Sequence, residues 1–372
     1  MNYVLHLTDD CNLNCKYCYE KDKYKHRKLS FENIKLVIDR ETQQNSKFVG
    51  ISFYGGEPLL EKDTIFKIVE YTNKLKTKTK FAFGMTTNGV LLDDVFINFI
   101  KNNNFLTIGY SFDGKKETQN LNRLTINNKG TFEIVEKNAI KLLATFKNVV
   151  AMVVVTKNNI NELTENVNYL INLGFKTINL QFDFFADWND EDLITIKENY
   201  NKVADLYIEK IKNEENVNII VFDEKIRTYI KEEYNCNDDC QLGIKTINIG
   251  VDGNFYPCMQ FVGENNYLIG NCKEGLDIEK RNNLIKNSHK EMDICKECKI
   301  KRRCKHLCCC KNYKTTNDIN EVSALTCETE RIVISIADRI ATKLYKEDSK
   351  LFVQKFYNDN YNILEELVTK GT

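Results

Sequence analysis

Two prolines in 372 residues, no net charge and no long apolar run are the first things the sequence shows by scarcity. The longest apolar stretches, such as Ala151 to Val155, are strand-length, far below the roughly 18 to 20 residues that a membrane helix needs. No membrane partner is therefore expected. Lys+Arg and Asp+Glu both number 53, so no overall field draws the chain to nucleic acid or to an anionic surface. No low-complexity tract predicts disorder. The opening MNYVLHLT has no basic segment followed by a long apolar stretch and reads as a strand. Nothing in it suggests export, and a cytoplasmic location is expected.

What is abundant is cysteine: fourteen residues, in a chain expected to meet a reducing compartment. Disulfides rarely persist there, and clustered thiolates more often hold metal. Both prolines, Pro58 and Pro257, fall inside the motifs described below, which suggests local backbone constraint.

Up to about residue 185, short β-rich runs alternate with longer segments of helical period, the signature of a parallel sheet. Strands are predicted near Tyr3 to Leu7, Gly50 to Tyr54, Phe81 to Thr86, Leu106 to Phe112, Val149 to Val155 and Thr177 to Phe182. Helices fit between them, one starting at Ser30 and another closed by Gly174. Six βα units without a GxGxxG turn suit an α/β fold of the partial (β/α)6 TIM-like barrel type, with functional residues at the C-terminal strand ends. The expected division is a barrel over 1–185, a helical connection over 186–235, a cysteine-rich domain over 236–330 and a C-terminal helical segment over 331–372. The Glu- and Lys-rich stretch from Asp190 to Lys231 reads as a solvated helix surface.

Cys11, Cys15 and Cys18 stand in DDCNLNCKYCYE, directly after the first strand. Three thiolates can hold three irons of a 4Fe-4S cluster and leave the fourth open to a ligand. Zinc is the competing occupant, and it would recruit a fourth ligand such as His6 or His26, neither at finger spacing. CxxxCxxC with Tyr17 before its last cysteine resembles the signature of the radical S-adenosylmethionine (SAM) superfamily. Gly55-Gly56-Glu57-Pro58 at the end of the second strand is similar to that family's GGEP element. The resemblance implies that its backbone and the Glu57 carboxylate receive the ammonium of SAM, two glycines allowing close approach to the ligand. Thr86-Thr87-Asn88-Gly89 resembles the TNG turn, which places Asn88 at the site. Ser111, in Ser111-Phe112-Asp113-Gly114, and Arg123 resemble the family's pair for the SAM carboxylate, a geometry an arginine fork suits. The implied chemistry is reductive cleavage of SAM to a 5′-deoxyadenosyl radical that abstracts a substrate hydrogen, a step needing no side-chain base. The sequence singles out no catalytic side chain. An external one-electron reductant such as a flavodoxin or ferredoxin is implied as a partner.

Eleven cysteines crowd into the 92 positions from Cys236 to Cys327. Their order is similar to that of the SPASM extension of radical SAM enzymes, which implies two auxiliary 4Fe-4S clusters and three in all. By that resemblance Cys240, Cys258 and Cys308, with Cys236 as fourth ligand, hold one. Cys295, Cys298, Cys304 and Cys327 hold the other. Basic residues between Cys295 and Cys308 would offset the anionic clusters, or simply form a solvated patch. TINIGVDGNFYPC reads as a hairpin turning at Asp252-Gly253 and presenting Cys258. Cys272 reads as a packed free thiol. The triplet Cys308-Cys309-Cys310 leaves the ligand register open, with the spacing favouring Cys308.

Within the resemblance, two branches modify peptides or proteins. One comprises ribosomal-peptide maturases that install thioether or other crosslinks. The other comprises anaerobic sulfatase-maturating enzymes, which form formylglycine and carry an Asp directly after the cysteine matching Cys258. Here that position is Met259. The expectation is therefore a maturase acting on a Cys-containing, ribosomally made precursor peptide. Cys11 leaves no room for an N-terminal leader-binding domain, so leader recognition falls to a separate protein, to the C-terminal helices, or to no leader at all. An iron-sulfur electron carrier without SAM turnover is the alternative of another class, disfavoured because a carrier needs no grip on an amino acid.

Overall fold

The computed structural model describes residues 1–20, 26–231, 242–288 and 290–357. The six expected strands form as β1 (Asn2–His6), β2 (Phe48–Tyr54), β3 (Lys80–Thr87), β4 (Phe105–Ser111), β5 (Val149–Val155) and β6 (Thr177–Phe182). Helices α1 (Phe31–Gln43), α2 (Lys62–Lys74), α3 (Asp94–Asn102), α4 (Lys116–Asn122), α5 (Phe132–Thr145) and α6 (Leu163–Leu173) fill the connections. Local chemistry sets their ends. The Ser30 hydroxyl accepts the Asn33 N–H at the start of α1, and Gly174, at φ 117°, closes α6 in the left-handed region.

All these strands are parallel and neighbours in sequence are neighbours in space, so the order never reverses as it does in a doubly wound sheet. That winding is the barrel's. Along each strand, large apolar residues such as Leu5, Ile51, Phe53, Ile108, Tyr110, Ala151 and Val153 are buried under the helices. The intervening residues face the concave side, where Ser52 pairs with Gly84 and Thr86 with Gly109.

The sheet runs beyond six strands. β7 (Asn218–Ile219) adds to β6, and β8 (Thr246–Ile249), from the cysteine-rich region, pairs in parallel with β1. β9 (Phe255–Tyr256) folds back on β8 as the expected hairpin, with Gly253 at φ 77° in its turn. The cysteine-rich region is thus welded to the barrel edge through some 240 residues of sequence separation. β10 (Gly270–Asn271) and β11 (Gly275–Leu276) form a small separate ribbon. Cys272 between them is buried in the main core, as a packed thiol should be.

The helices α7 (Asp190–Lys212) and α8 (Ile220–Lys231) correct the reading of that stretch as a solvated surface. Tyr200, Val203, Tyr207, Ile211, Phe222 and Ile226 are buried, because α11 (Ala324–Lys346) packs across both helices. After α9 (Ile278–Asn287) and α10 (Cys309–Thr316), α11 carries Cys327 in its first turn, and α12 (Lys350–Tyr357) follows. Among the described residues no helix is long and apolar enough to cross a membrane.

Candidate active site

The segment Thr8 to Cys18 leaves β1 at the C-terminal end of the sheet and is held on both flanks by backbone hydrogen bonds. On one flank, Gly56 N–H donates to Thr8 O and Glu57 N–H to Asp10 O, each at 2.9 Å. On the other, Asn14 N–H donates to Leu124 O at 2.8 Å and Lys16 N–H to Asn122 O at 3.0 Å. The two glycines therefore serve a close approach of the chain to itself. A Cβ on Gly56 would lie 2.1 Å from Asp10 O, and Gly55, at φ 126°, would place one 2.6 Å from Thr8 O.

Glu57 is buried, and both its carboxylate oxygens are engaged by the chain. Oε1 accepts Leu59 N–H at 3.0 Å and the Thr87 hydroxyl at 2.7 Å, and Oε2 accepts Asn88 N–H at 2.8 Å. It starts the turn at Pro58 and ties the end of β2 to the end of β3. Burial pushes its carboxyl up to about 7, against the pull of these donors. Asn88 carries the linkage onward, its amide donating to Asn12 Oδ1 at 2.8 Å and lying 3.8 Å from Cys11 Sγ.

Cys11, Cys15 and Cys18 are half-buried and close enough for each charge to bear on the others. Leu13 N–H points at Cys11 Sγ, 3.4 Å away, the kind of N–H···S contact that stabilises a thiolate. Burial nevertheless pushes the Cys11 thiol up to about 12, so deprotonation there calls for a bound cation. An all-thiol donor set with a backbone donor to sulfur fits iron. Among the described residues no three His, Cys, Asp or Glu side chains close around a single metal ion.

Ser111 and Asp113 share the concave side of β4 and its exit. Asp113 was not singled out from the sequence, although it lies in phase with Ser111. It is fully buried: Oδ1 accepts Arg123 Nη2 at 3.0 Å and Val154 N–H at 3.1 Å, and Oδ2 accepts the Tyr17 hydroxyl at 2.5 Å. The Arg123 guanidinium lies 5.3 Å from the Tyr17 ring centroid. Arg123 is 6% exposed and its Nε has no hydrogen-bond partner. A buried cation with an unspent donor suits an incoming carboxylate.

Of the second cysteine group, Cys295, Cys298, Cys304 and Cys327 line one cavity together with His306, Lys301 and Arg331. Four thiols on one cavity, three from the 295–304 segment and the fourth from α11, with cations in its wall, fit an anionic thiolate cluster. In the first auxiliary set, Cys258 and Cys308 pack together, while Cys236 and Cys240 lie outside the described residues. Within the triplet, Cys308 and Cys310 both lie beside Cys258. Cys310 Sγ is 3.6 Å from Cys308 Sγ, whereas Cys309 is buried with Leu242 and Phe261 and directs its thiol to Leu307 O. Two further features were not read from sequence. Lys225 is buried beside the second thiol group, donating to Arg303 O at 2.9 Å and Glu330 at 2.7 Å. Lys311 of α10 sits 4.4 Å over the Phe184 ring, joining the cysteine-rich region to the loop after β6.

Comparison with known proteins agrees with this fold. The model of the Radical SAM superfamily matches residues 5–170. The chain is 30% identical over 334 residues to a cysteine-type anaerobic sulfatase-maturating enzyme of Clostridium novyi (strain NT), covering 81% of this chain and 85% of that one. Its fold is similar to that of anSMEcpe with bound AdoMet, with a TM-score of 0.81 at 23% identity over 94% of this chain and 100% of the other. It is also similar to Streptococcus suis SuiB bound to precursor peptide SuiA, with a TM-score of 0.63 at 16% identity over 88% and 75% of the two chains.

Proposed function

The chain belongs to the radical SAM superfamily, and from that membership we propose that it is a maturase that installs a thioether or other crosslink in a Cys-containing, ribosomally made precursor peptide. When bound, SAM on a reduced cluster supplies a 5′-deoxyadenosyl radical that takes a hydrogen atom from the substrate. The chain's own contribution is to bind and orient. Cys11, Cys15 and Cys18 hold the first 4Fe-4S cluster. Arg123, with Ser111 and Tyr17 beside it, receives the SAM carboxylate. The backbone around Gly55, Gly56 and Glu57 receives the ammonium, and Asn88 bridges this turn to the cluster loop.

Two auxiliary 4Fe-4S clusters complete the reading, one on Cys295, Cys298, Cys304 and Cys327 and one that includes Cys258 and Cys308. The reaction requires an external one-electron reductant of the flavodoxin or ferredoxin kind, and the protein works in the cytoplasm.

The observation that carries crosslinking over formylglycine formation is Met259. It directly follows Cys258 and opens a short turn over Met259–Phe261, so a thioether, not a carboxylate, stands beside that thiol. Formylglycine formation removes a proton from the substrate side chain as well as a hydrogen atom, and positioned base catalysis contributes about 10² to 10⁴ in rate. The second reading, a sulfatase-maturating activity, is favoured by the near full-length similarity to the Clostridium novyi enzyme. The two separate in one anaerobic incubation with SAM, reductant and a sulfatase-derived Cys peptide, followed by mass spectrometry. Little or no aldehyde is expected. Efficient aldehyde formation would replace the crosslinking assignment with the second reading.

A further inference from the structure

The loop that carries Cys11, Cys15 and Cys18 and the arginine placed for the SAM carboxylate meet on a single buried carboxylate. Tyr17 stands between Cys15 and Cys18, and its hydroxyl donates to Asp113 Oδ2 at 2.5 Å. Arg123 Nη2 donates to Asp113 Oδ1 at 3.0 Å, and the guanidinium lies over the Tyr17 ring. The residues flanking Arg123 also pair with the loop, through Lys16 N–H to Asn122 O and Asn14 N–H to Leu124 O. Asp113 itself is immobilised, because Val154 N–H donates to its Oδ1 and its own N–H donates to Gln119 Oε1 at 2.9 Å.

Its position explains why this is more than packing. An isolated buried carboxylate is costly, and here it is compensated by three hydrogen bonds drawn from three different segments, one of them from a cation. The Arg123 side chain spends one amino group on Asp113 and on Met152 O, which leaves Nε unpartnered. The Asp113 contact thus fixes which part of the fork remains for a ligand. Any rotation of Arg123 disturbs Asp113, and through it Tyr17.

We infer that Asp113 is a positioning residue that couples the cluster-bearing loop to the SAM carboxylate grip, holding both in register through Tyr17 and Arg123. The inference rests on the SAM site proposed above. Asp113 touches neither SAM nor iron in this role, so its effect passes through two other side chains. Coupling of this kind predicts that one substitution moves two separate properties, SAM affinity and the hold on iron in the absence of SAM.

The test uses anaerobically reconstituted full-length protein. SAM affinity is measured by equilibrium dialysis. Iron release to a chelator without SAM is followed for the portion of iron missing from the Cys11, Cys15 and Cys18 triple alanine variant. Asp113→Asn is expected to weaken SAM binding by about tenfold or more, the loss of a charge-assisted contact, and to speed SAM-free iron release severalfold. Tyr17→Phe, which leaves the Arg123–Asp113 pair intact, is expected to speed iron release to a similar degree, and the double variant to release iron no faster than Asp113→Asn alone. Should Asp113→Asn not fold, Tyr17→Phe carries the test. Weakened SAM binding with wild-type iron release in both variants would overturn the coupling and leave Asp113 serving Arg123 alone. Unchanged affinity in Asp113→Asn would overturn it as well. If the wild-type protein binds no SAM, or the triple variant loses no iron, it is the underlying site that fails, and the inference falls with it.

Discussion

Glu57 accepts the backbone N–H of Asn88 at 2.8 Å, and the Asn88 amide in turn reaches Asn12 and the Cys11 sulfur. One buried carboxylate therefore ties two strand ends to the loop that bears the first cysteines. It also bears on the proposed hold on SAM. With its oxygens engaged by Leu59, Thr87 and Asn88, Glu57 shapes the turn, and in the SAM site proposed above the ammonium falls to the backbone around it.

The burial of Glu57 has a pH signature. Its carboxyl is held up at about 7 from an ordinary value of 4.5, so the folded protein keeps this proton to higher pH than the unfolded chain does. The stability it contributes is fully present below about 4.5 and is lost as pH rises through about 7. Glu57→Gln stays neutral throughout. The stability of wild type relative to that variant should fall by up to about 3 kcal/mol between pH 5 and 8, measured by denaturant unfolding. Parallel pH profiles would contradict this.

Gly56→Ala should damage the site without touching a cysteine. The added Cβ meets Asp10 O at 2.1 Å, and backbone cannot give way as a side-chain tip can. Overpacking of this kind costs about 1 to 3 kcal/mol. Reconstituted iron should drop and SAM binding weaken, as read by iron assay and dialysis; wild-type values for both would refute the close-packing account.

Arg123→Ala should weaken SAM binding by about 2 kcal/mol, the scale of a hydrogen bond to a charged group. Arg123→Lys should recover little of it, because an ammonium cannot reproduce the fork that holds Asp113 and a ligand together. Equilibrium dialysis decides the point, and full recovery by Lys would show that charge alone suffices.

Far from the site, Lys355 of α12 is buried against Asp223, the Tyr207 hydroxyl and Val217 O, at 2.8, 2.9 and 2.7 Å. Burial pulls its ammonium below the ordinary lysine value while Asp223 opposes the shift. Lys355→Ala leaves Asp223 uncompensated and should cost about 3 to 5 kcal/mol in denaturant unfolding. Replacing both, Lys355→Met with Asp223→Leu, should restore most of that.

The strands of the barrel were legible because each is a short β-rich run buried on one side, and local capping by Ser30 and Gly174 marked helix ends. The motif positions were legible too, since strand ends place Cys11, Glu57, Asn88 and Ser111 at one face. What stayed hidden depends on distant backbone approach. The two glycines face Thr8 and Asp10, where the sequence suggested a ligand, and β8 joins β1 at the barrel edge from some 240 residues away in sequence. Asp113 could have been found from its alternation with Ser111, but its partners lie 96 residues back and 10 residues forward. The burial of α7 and α8 was missed because their cover, α11, comes a hundred residues later.

Crosslinking of a peptide at the proposed SAM site is open to direct observation. The direct measurement is mass spectrometry of a Cys-containing precursor peptide, encoded beside this gene, after anaerobic turnover with SAM and reductant, with 5′-deoxyadenosine quantified in the same sample. The expected product is a peptide that has lost two hydrogens per crosslink, with 5′-deoxyadenosine formed alongside, and neither product from the Cys11, Cys15 and Cys18 triple alanine variant. Turnover of SAM that leaves such peptides unlinked while converting a sulfatase peptide to the aldehyde would contradict it.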